Sequence, residues 1–187
     1  MARIGIFFGT DTGRTRLVAK QIGRQLAEVY GLEVDKPANI GRTEVADFLA
    51  CDSLILGTPT LGFGELPGRA TGLDQPSWAE FMPRLRRGAL KGKTVAIFGL
   101  GDQEKYPDNF VDAIGLLYDE MSDLGAKVVG RWPTTGYRFN ASVAVDGRDF
   151  VGLAIDQHLQ AGQTEARLER WLAQVVEEMA LAGEVTA

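Results

Sequence analysis

The sequence predicts a doubly wound α/β fold in which helices cover both faces of a parallel sheet. Short and almost continuously apolar runs recur along the chain, and segments with helical spacing of apolar residues lie between them. Glycine, hydroxyl and acidic residues follow several of these runs. Near-continuous apolarity is typical of strands buried on both faces, and the alternation of strand and helix is typical of a parallel sheet.

Five apolar runs are the predicted strands. The clearest are 4–8, 53–57, 94–98 and 127–130, and 32–34 is weaker. A strand between two helical layers has no polar face, which explains why the clear runs lack alternation of polar and apolar residues.

Helices are predicted between and after these strands from the helical spacing of apolar residues. They cover 17–29, 44–50, 77–86, 110–124 and 164–181. Thr164 is the predicted N-cap of the last helix. Ligands of doubly wound folds bind at the carboxyl ends of the strands, so the candidate binding loops begin at Gly9, Thr58 and Gly99.

The composition limits the possible functions. The chain has 187 residues, of which 45% are hydrophobic, and no linker or repeat divides it, so we predict one domain over 1–187. A net charge of −5 argues against nucleic acid and anionic membranes as partners. The chain shows no leader segment and no apolar run that could span a bilayer. We therefore expect a cytoplasmic protein, and the short polar tail 183–187 indicates a complete chain.

Cysteine chemistry is limited to one thiol. Cys51 has no partner for an internal disulfide, and no other Cys or His lies near it in the sequence to form a metal site. We predict that it is a small buried residue that precedes a strand. No metal site is expected.

The first candidate loop, 9–15, leads from the first strand into the first helix. It combines three threonines, two glycines and the amides of a helix N-terminus, which together can bind a phosphate. No Lys-Ser or Lys-Thr pair follows, so the loop is not a Walker A motif. A plain turn that caps the helix is the alternative interpretation of this loop alone.

Two other classes of protein, dinucleotide-binding proteins and response-regulator receiver domains, are not indicated. The loop that begins at Gly99 starts like a dinucleotide fingerprint but has Glu104 in place of its third glycine. A response-regulator receiver domain shares this type of sheet but needs paired acids after the first strand, where only Asp11 is present.

Taken together, the three loops resemble those of the flavodoxin family. The matching motifs are T-D-T-G-R-T at 10–15, T-P-T-L-G-F-G-E-L at 58–66 and G-D-Q-E-K-Y-P-D-N-F at 101–110. The resemblance covers 4–176, nearly the whole chain, and residues 131–152 resemble the insertion of long-chain flavodoxins. Leu61, with Gly-Glu-Leu-Pro after it, resembles the subgroup that serves nitrogen fixation.

This resemblance implies a five-stranded parallel sheet of order 2-1-3-4-5, with helices on both faces and an insertion in the fifth strand. It also implies FMN as the cofactor, bound where the strand order reverses, a placement for which flavodoxin is itself a standard example.

The function implied by the resemblance is electron transfer and not catalysis. The protein would be a low-potential one-electron carrier that uses the semiquinone and hydroquinone states of FMN. Its transient partners would be a reductase as donor and the nitrogenase iron protein as acceptor, and the carrier itself would be a monomer. Docking would use the exposed flavin edge, near Glu65 and Asp108. An FMN-dependent NAD(P)H quinone reductase of the same fold is the alternative.

The resemblance also implies the residues that contact FMN. They are Thr10, Asp11, Thr12, Gly13, Arg14, Thr15, Thr58, Pro59, Thr60, Leu61, Gly62, Gly99, Asp102, Tyr106, Asn109 and Phe110. The threonines and amides of the first loop should hold the phosphate, and Thr60 should reach the ribityl chain or the phosphate. Arg14 is expected to be a solvated residue of the first helical turn, contributing its backbone amide.

Five of these positions have implied roles at the flavin ring. Tyr106 and Leu61 should cover its two faces, with leucine where many relatives carry tryptophan. The carbonyl of Gly62 should turn toward flavin N5, because glycine reaches positive φ at little cost. The main chains of Asp102 and Asn109 should contact the pyrimidine end, where acidic and polar groups disfavour an anionic reduced flavin.

Two positions depart from the family pattern, since His158 and Thr135 stand where long-chain relatives usually have acids. We hypothesise that His158, the only histidine, lies near the rim of the cofactor and makes the low potential more dependent on pH. An exposed loop histidine without a role is the alternative.

Overall fold

The fold is given by a computed structural model, which describes residues 2–181. Its strands are β1 (Ile4–Phe8), β2 (Ala38–Asn39), β3 (Ser53–Pro59), β4 (Thr94–Leu100), β5 (Lys127–Val129), β6 (Trp132–Pro133), β7 (Val145–Asp146), β8 (Asp149–Phe150) and β9 (Leu153–Ile155). Its α-helices are α1 (Arg14–Glu28), α2 (Val45–Leu49), α3 (Trp78–Phe81), α4 (Asp112–Asp123) and α5 (Thr164–Glu178). The tail 183–187 lies outside the described residues.

The predicted parallel sheet and its order are confirmed. The strands run β2-β1-β3-β4-β5, and β9 also pairs with β4 in parallel. The predicted insertion is confirmed as well, because β5 pairs with the first half of β4 and β9 with its second half. Between β5 and β9 the chain forms a small antiparallel sheet of order β6-β8-β7.

Helices α4 and α5 lie on opposite faces of the sheet. The ring of Phe98 in β4 packs against Trp171 of α5, with ring centroids 6.4 Å apart. A Cβ added at the next residue, Gly99, would lie 2.4 Å from Cγ1 of Ile114 in α4. Because successive strand residues point to opposite faces, these two contacts place the helices on either side of β4.

The prediction of a strand at 32–34 was wrong. The second strand is β2, four residues later, and Val34 forms only an isolated bridge with Ile4. The amide of Leu32 donates to the carbonyl of Leu26, so it belongs to the end of α1 and is not available to the sheet.

The prediction of Thr164 as an N-cap was also wrong. Gln163 holds that position, and Thr164 is the first residue of α5, with helical φ −58° and ψ −47°. The short 3₁₀ turn over 161–163 runs directly into the helix, so Thr164 lies inside the first helical turn and not before it. Within residues 2–181 the buried Oγ1 of Thr164 has no hydrogen-bond partner.

Cys51 is buried two residues before the start of β3 and precedes that strand, as predicted. Its Sγ lies 3.6 Å from the carbonyl oxygen of Asp47, and burial raises the pKa of the thiol. A buried thiol with a raised pKa is a poor nucleophile. Among the helices of residues 2–181, none has the length and apolarity needed to cross a bilayer.

Candidate cofactor site

A cleft of about 350 Å³ opens at the carboxyl ends of β1, β3 and β4. The predicted residues that line it are Asp11, Thr12, Arg14, Thr15, Pro59, Thr60, Leu61, Gly62, Asp102, Tyr106, Asn109 and Phe110. Those that do not line it are Thr10, Gly13, Thr58 and Gly99. This size falls within the usual range for small-molecule sites.

The first loop presents the N-terminus of α1 to the cleft. Gly13 stands at the N-cap position with φ 87°, and no side chain caps the helix. The amide of Gly13 donates to Oγ1 of Thr10 at 3.0 Å, which fixes the turn. A Cβ at Gly13 would meet nothing within 4 Å, so glycine is required by the backbone angle and not by space.

Electrostatics favour an anion at this end of α1. No acidic residue lies in the first turn of the helix, so no side chain there offsets its partial positive charge. Thr12 is exposed at the cleft and Thr15 is buried beneath it. Hydroxyls and amides at a helix N-terminus form a neutral donor set that suits a phosphate.

The second loop is a tight turn that carries Leu61 to the cleft. The main chains of Leu61 and Glu65 exchange two hydrogen bonds, of 3.0 and 2.8 Å. Two glycines with positive φ, Gly62 at 54° and Gly64 at 94°, allow the turn. Phe63 stands between them with 90% of its surface exposed.

The third loop is built around the side chain of Asp102. Its Oδ1 accepts from the amides of Glu104 and Lys105 at 3.1 and 2.9 Å, and its carbonyl accepts from the amide of Tyr106 at 2.9 Å. The turn thereby places Tyr106, 42% exposed, at the cleft. The ammonium of Lys105 lies 5.2 Å from the centre of that ring.

The start of α4 joins the second and third loops. Oγ1 of Thr60 accepts from the amide of Ala113 at 3.1 Å, and the amide of Thr60 donates to the carbonyl of Leu100. Val111, at the N-cap position of α4, has φ 49°. This angle is rare for a β-branched residue and marks a strained position in the cleft wall.

The predicted residues outside the cleft have visible structural roles. Thr58 is buried, and its hydroxyl donates to the carbonyl of Pro59 at 2.8 Å. Gly99 leaves room for Ile114 of α4. Thr10 holds the amide of Gly13.

His158 is exposed and lines the cleft. Its Nε2 is 2.9 Å from Nη1 of Arg14, and its Nδ1 is 4.0 Å from Oδ2 of Asp102. A guanidinium only donates, so Nε2 must accept and the proton of the neutral ring lies on Nδ1. The exposed Arg14 is therefore paired, and the three side chains link the first turn of α1 to the third loop.

Some lining residues were not predicted. They are Leu100, Gly101, Lys105, Val111 and Gln157. Each lies within two residues of a predicted site residue or of His158. Extending each predicted loop by two residues would therefore have found them. Within the described part of the chain, no cluster of three or more His, Cys, Asp or Glu side chains could hold a metal ion.

The arrangement suits a planar ligand with a phosphate at one end. The amides and threonines of the first loop supply the phosphate donors, while Leu61 and Tyr106 offer an aliphatic and an aromatic surface from separate loops. This donor set and these surfaces fit FMN.

Comparison with known proteins identifies the family. Residues 6–171 match the family model described as flavodoxin. The chain belongs to the flavodoxin family. It is 55% identical to a flavodoxin of Klebsiella pneumoniae over 94% of its own length and 97% of that protein. A second flavodoxin of the same organism is 44% identical over 97% of each chain.

A solved structure supports the same assignment. Fusobacterium nucleatum flavodoxin bound to flavin mononucleotide is similar in structure, with a TM-score of 0.82 and 29% identity, over 95% of this chain and 99% of that one. Flavodoxins are FMN-binding electron carriers and not enzymes, so the predicted family, cofactor and electron-transfer role are confirmed. The alternative of a quinone reductase is set aside.

Proposed function

We propose that this chain is a low-potential one-electron carrier that holds FMN in the cleft between its three loops, within one domain over 1–187. The observation that carries the proposal is that the loops meet at the carboxyl ends of β1, β3 and β4, with a helix N-terminus on one side and Leu61 and Tyr106 on the others. FMN, when bound, supplies the one-electron chemistry.

The chain's own residues would divide the binding between them. Thr10, Thr12 and Thr15, with the amides of 11–15, would hold the phosphate without a lysine. Leu61 and Tyr106 would cover the ring. An aliphatic cover gives contact area but not the additional ~0.5–1.5 kcal/mol of an aromatic pair.

The polar groups at the third loop support a low potential. Asp102, Asn109 and their main chains would surround one end of the ring, where added negative charge is unfavourable beside a carboxylate. The test is an anaerobic reductive titration of the protein with FMN. We expect two separate one-electron potentials, the second very low. Direct two-electron bleaching by NADPH would contradict the proposal.

We further propose the nitrogenase iron protein as the acceptor and a reductase as the donor. Supporting this, Leu61 with Gly-Glu-Leu-Pro after it in the second loop resembles the subgroup that serves nitrogen fixation. The test compares the rates at which this chain and the flavodoxin that is 44% identical to it reduce the iron protein. Equal rates would count against a dedicated role.

Docking would occur at the cleft rim, in a monomer of the cytoplasm. Glu65 and Asp108 are both exposed beside the cleft loops, and Phe63 projects from the second loop. Acids around an apolar tip suit a partner with a basic surface.

A further inference from the structure

A buried carboxylate lies directly behind the cleft. Asp112 is the first residue of α4 and is only 4% exposed. It does not line the cleft, although the three residues before it do. Its Oδ1 accepts from the amide of Val143 at 2.9 Å, and its Oδ2 accepts from Nδ2 of Asn109 at 3.1 Å.

This carboxylate is held without a cation. Among residues 2–181, no Lys or Arg forms a salt bridge with Asp112. Burial of an ionised carboxylate is costly unless hydrogen bonds replace its water. The two accepted hydrogen bonds and the N-terminus of α4 therefore compensate for the burial.

Three separate segments meet at this carboxylate. The backbone of the second loop passes so close that a Cβ added at Gly64 would lie 2.4 Å from Oδ2 of Asp112. Asn109 brings the third loop, and Val143 brings the insertion between β5 and β9. One turn further along α4, a Cβ at Gly115 would lie 2.5 Å from the carbonyl oxygen of Val143.

The insertion follows the third loop closely beyond this point. The amides of Asn140 and Ala141 donate to the carbonyl of Pro107 at 2.7 and 3.0 Å. The side chain of Asn140 donates to Oδ1 of Asp108 at 2.9 Å. The insertion thus braces the third loop, although no residue of 130–152 lines the cleft.

We propose that Asp112 is a positioning residue for the cofactor cleft, through which the insertion controls the shape of a site that it does not line. A carboxylate only accepts, so the amide nitrogen of Asn109 has to face it, and this fixes the orientation of that cleft residue. Val111, with its strained backbone angle, lies between Asn109 and Asp112 in the sequence. The inference rests on the proposal that the cleft holds FMN.

The test is Asp112→Asn, whose amide would direct a donor toward the donor of Asn109. We expect faster hydrogen–deuterium exchange of the apoprotein over 107–111 and 140–145. FMN should bind about tenfold more weakly, because Asn109 would no longer be held in one orientation in the cleft wall. The lower one-electron potential should rise, because a negative charge near the ring is removed.

The matched control is Asp119→Asn. It removes the same charge from an exposed acid further along α4 that does not line the cleft. We expect FMN affinity and potential to stay at the parent values. If Asp112→Asn lowers only the melting temperature and leaves FMN affinity and potential unchanged, the residue is merely structural and the proposal fails.

A double variant keeps the test decisive if Asp112→Asn does not fold. In Asn109→Asp with Asp112→Asn, donor and acceptor are exchanged, and Asn at 112 can still accept from Val143. We expect exchange over 140–145 as slow as in the parent and FMN affinity close to the parent value. An affinity tenfold or more below that of the parent, or faster exchange, would overturn the proposal. If Thr12→Ala and Leu61→Trp both bind FMN with the affinity of the parent, the cleft is not the FMN site.

Discussion

At the scale of single residues, His158 is the side chain that distinguishes this cleft. Charged groups face it from each neighbouring segment: Arg14 from α1, Asp102 from the third loop, and Asp156, whose Oδ1 accepts the amide of His158 at 2.9 Å. A proton on Nε2 would break the contact with Arg14 and add a positive charge at the cleft mouth.

This geometry predicts a pH-dependent potential. Protonated His158 would favour the negatively charged reduced cofactor, so the lower potential should be higher at pH 6 than at pH 8. In His158→Asn, which can still accept from Arg14, this difference should be smaller. Potentiometric titrations at both pH values measure it, with Leu159→Ala as a neighbouring exposed control. Identical curves for the parent and the asparagine variant would leave His158 without this role.

Substitution of Leu61 should also change the affinity for FMN. An aromatic ring at this position would add ring stacking to contact area, worth ~0.5–1.5 kcal/mol, or up to about tenfold in affinity. We expect Leu61→Trp to bind FMN more tightly, as measured by fluorescence titration of the apoprotein. Leu61→Met, which keeps an aliphatic cover, is the control. Weaker binding by the tryptophan variant would show that Leu61 does not cover the ring.

At the scale of elements, Glu80 holds the segment before α3 to the helix. Its carboxylate accepts from the amides of Ser77 and Arg69, both at 2.8 Å. Burial acts to raise the pKa of Glu80, but the backbone hydrogen bonds from Ser77 and Arg69 outweigh it and the pKa is lowered. The stabilisation is therefore present above the carboxyl pKa of the unfolded chain and is lost as pH falls through the folded pKa.

We expect Glu80→Gln to lower the free energy of unfolding by about 1–2 kcal/mol at pH 7, because an amide oxygen replaces a charged double acceptor. The difference from the parent should shrink below about pH 4, where carboxyl groups take up protons. Urea unfolding of the apoprotein at pH 7 and pH 3.5 measures both. Glu177→Gln, at an exposed position of α5, is the control. A difference that is equal at both pH values would contradict this account.

Tyr137 is the side chain that attaches the insertion to the main sheet. The hydroxyl of Tyr137 donates to the carbonyl of Ala154 in β9 at 2.6 Å and accepts from Nε1 of Trp132 at 3.0 Å. Burial raises the pKa of Tyr137 to about 12, so the phenol keeps the proton that it donates. The insertion is thus attached both to β9 and, through Asp112, to the cleft loops.

The sequence predicted elements and loops well because their signals are local. Apolar runs mark β1, β3 and β4, and the three motifs mark the loops after them. Errors arose where distant contacts or adjoining turns decide the local structure: the amide of Leu32 is taken by α1, and a 3₁₀ turn makes Thr164 helical. Arg14 pairs with His158, which lies 144 residues away, and three segments of the chain meet at Asp112. Both arrangements depend on tertiary distances that no local pattern encodes.

At the scale of the whole molecule, net charge and exposed apolar surface should contribute differently to docking at the rim of the cleft. The net charge of −5 is modest, so long-range steering should be weak and easily screened by salt. Phe63 is the most exposed of the large hydrophobic side chains within residues 2–181, at 90%. It stands on the loop that carries Leu61 to the cleft, where an electron must leave.

We therefore expect apolar contact at Phe63 to matter more for docking than charge at Glu65. Phe63→Ala should lower the second-order rate of electron transfer to the iron protein by about fivefold or more, as an anchor residue does. Glu65→Gln should change this rate by less than about threefold, and less still at high salt. Stopped-flow mixing at two salt concentrations separates the two effects.

The control for the apolar effect is Val29→Ala. Val29 is also well exposed, at 70%, but follows the C-terminus of α1, at the end of the helix away from the cleft. A small oxidant such as ferricyanide needs no docking surface, so its rate with Phe63→Ala should equal that of the parent. If Phe63→Ala and Val29→Ala reduce the iron protein at the same rate, Phe63 is no anchor. If only the ferricyanide rate changes, the substitution has altered the cofactor site itself and the docking interpretation fails.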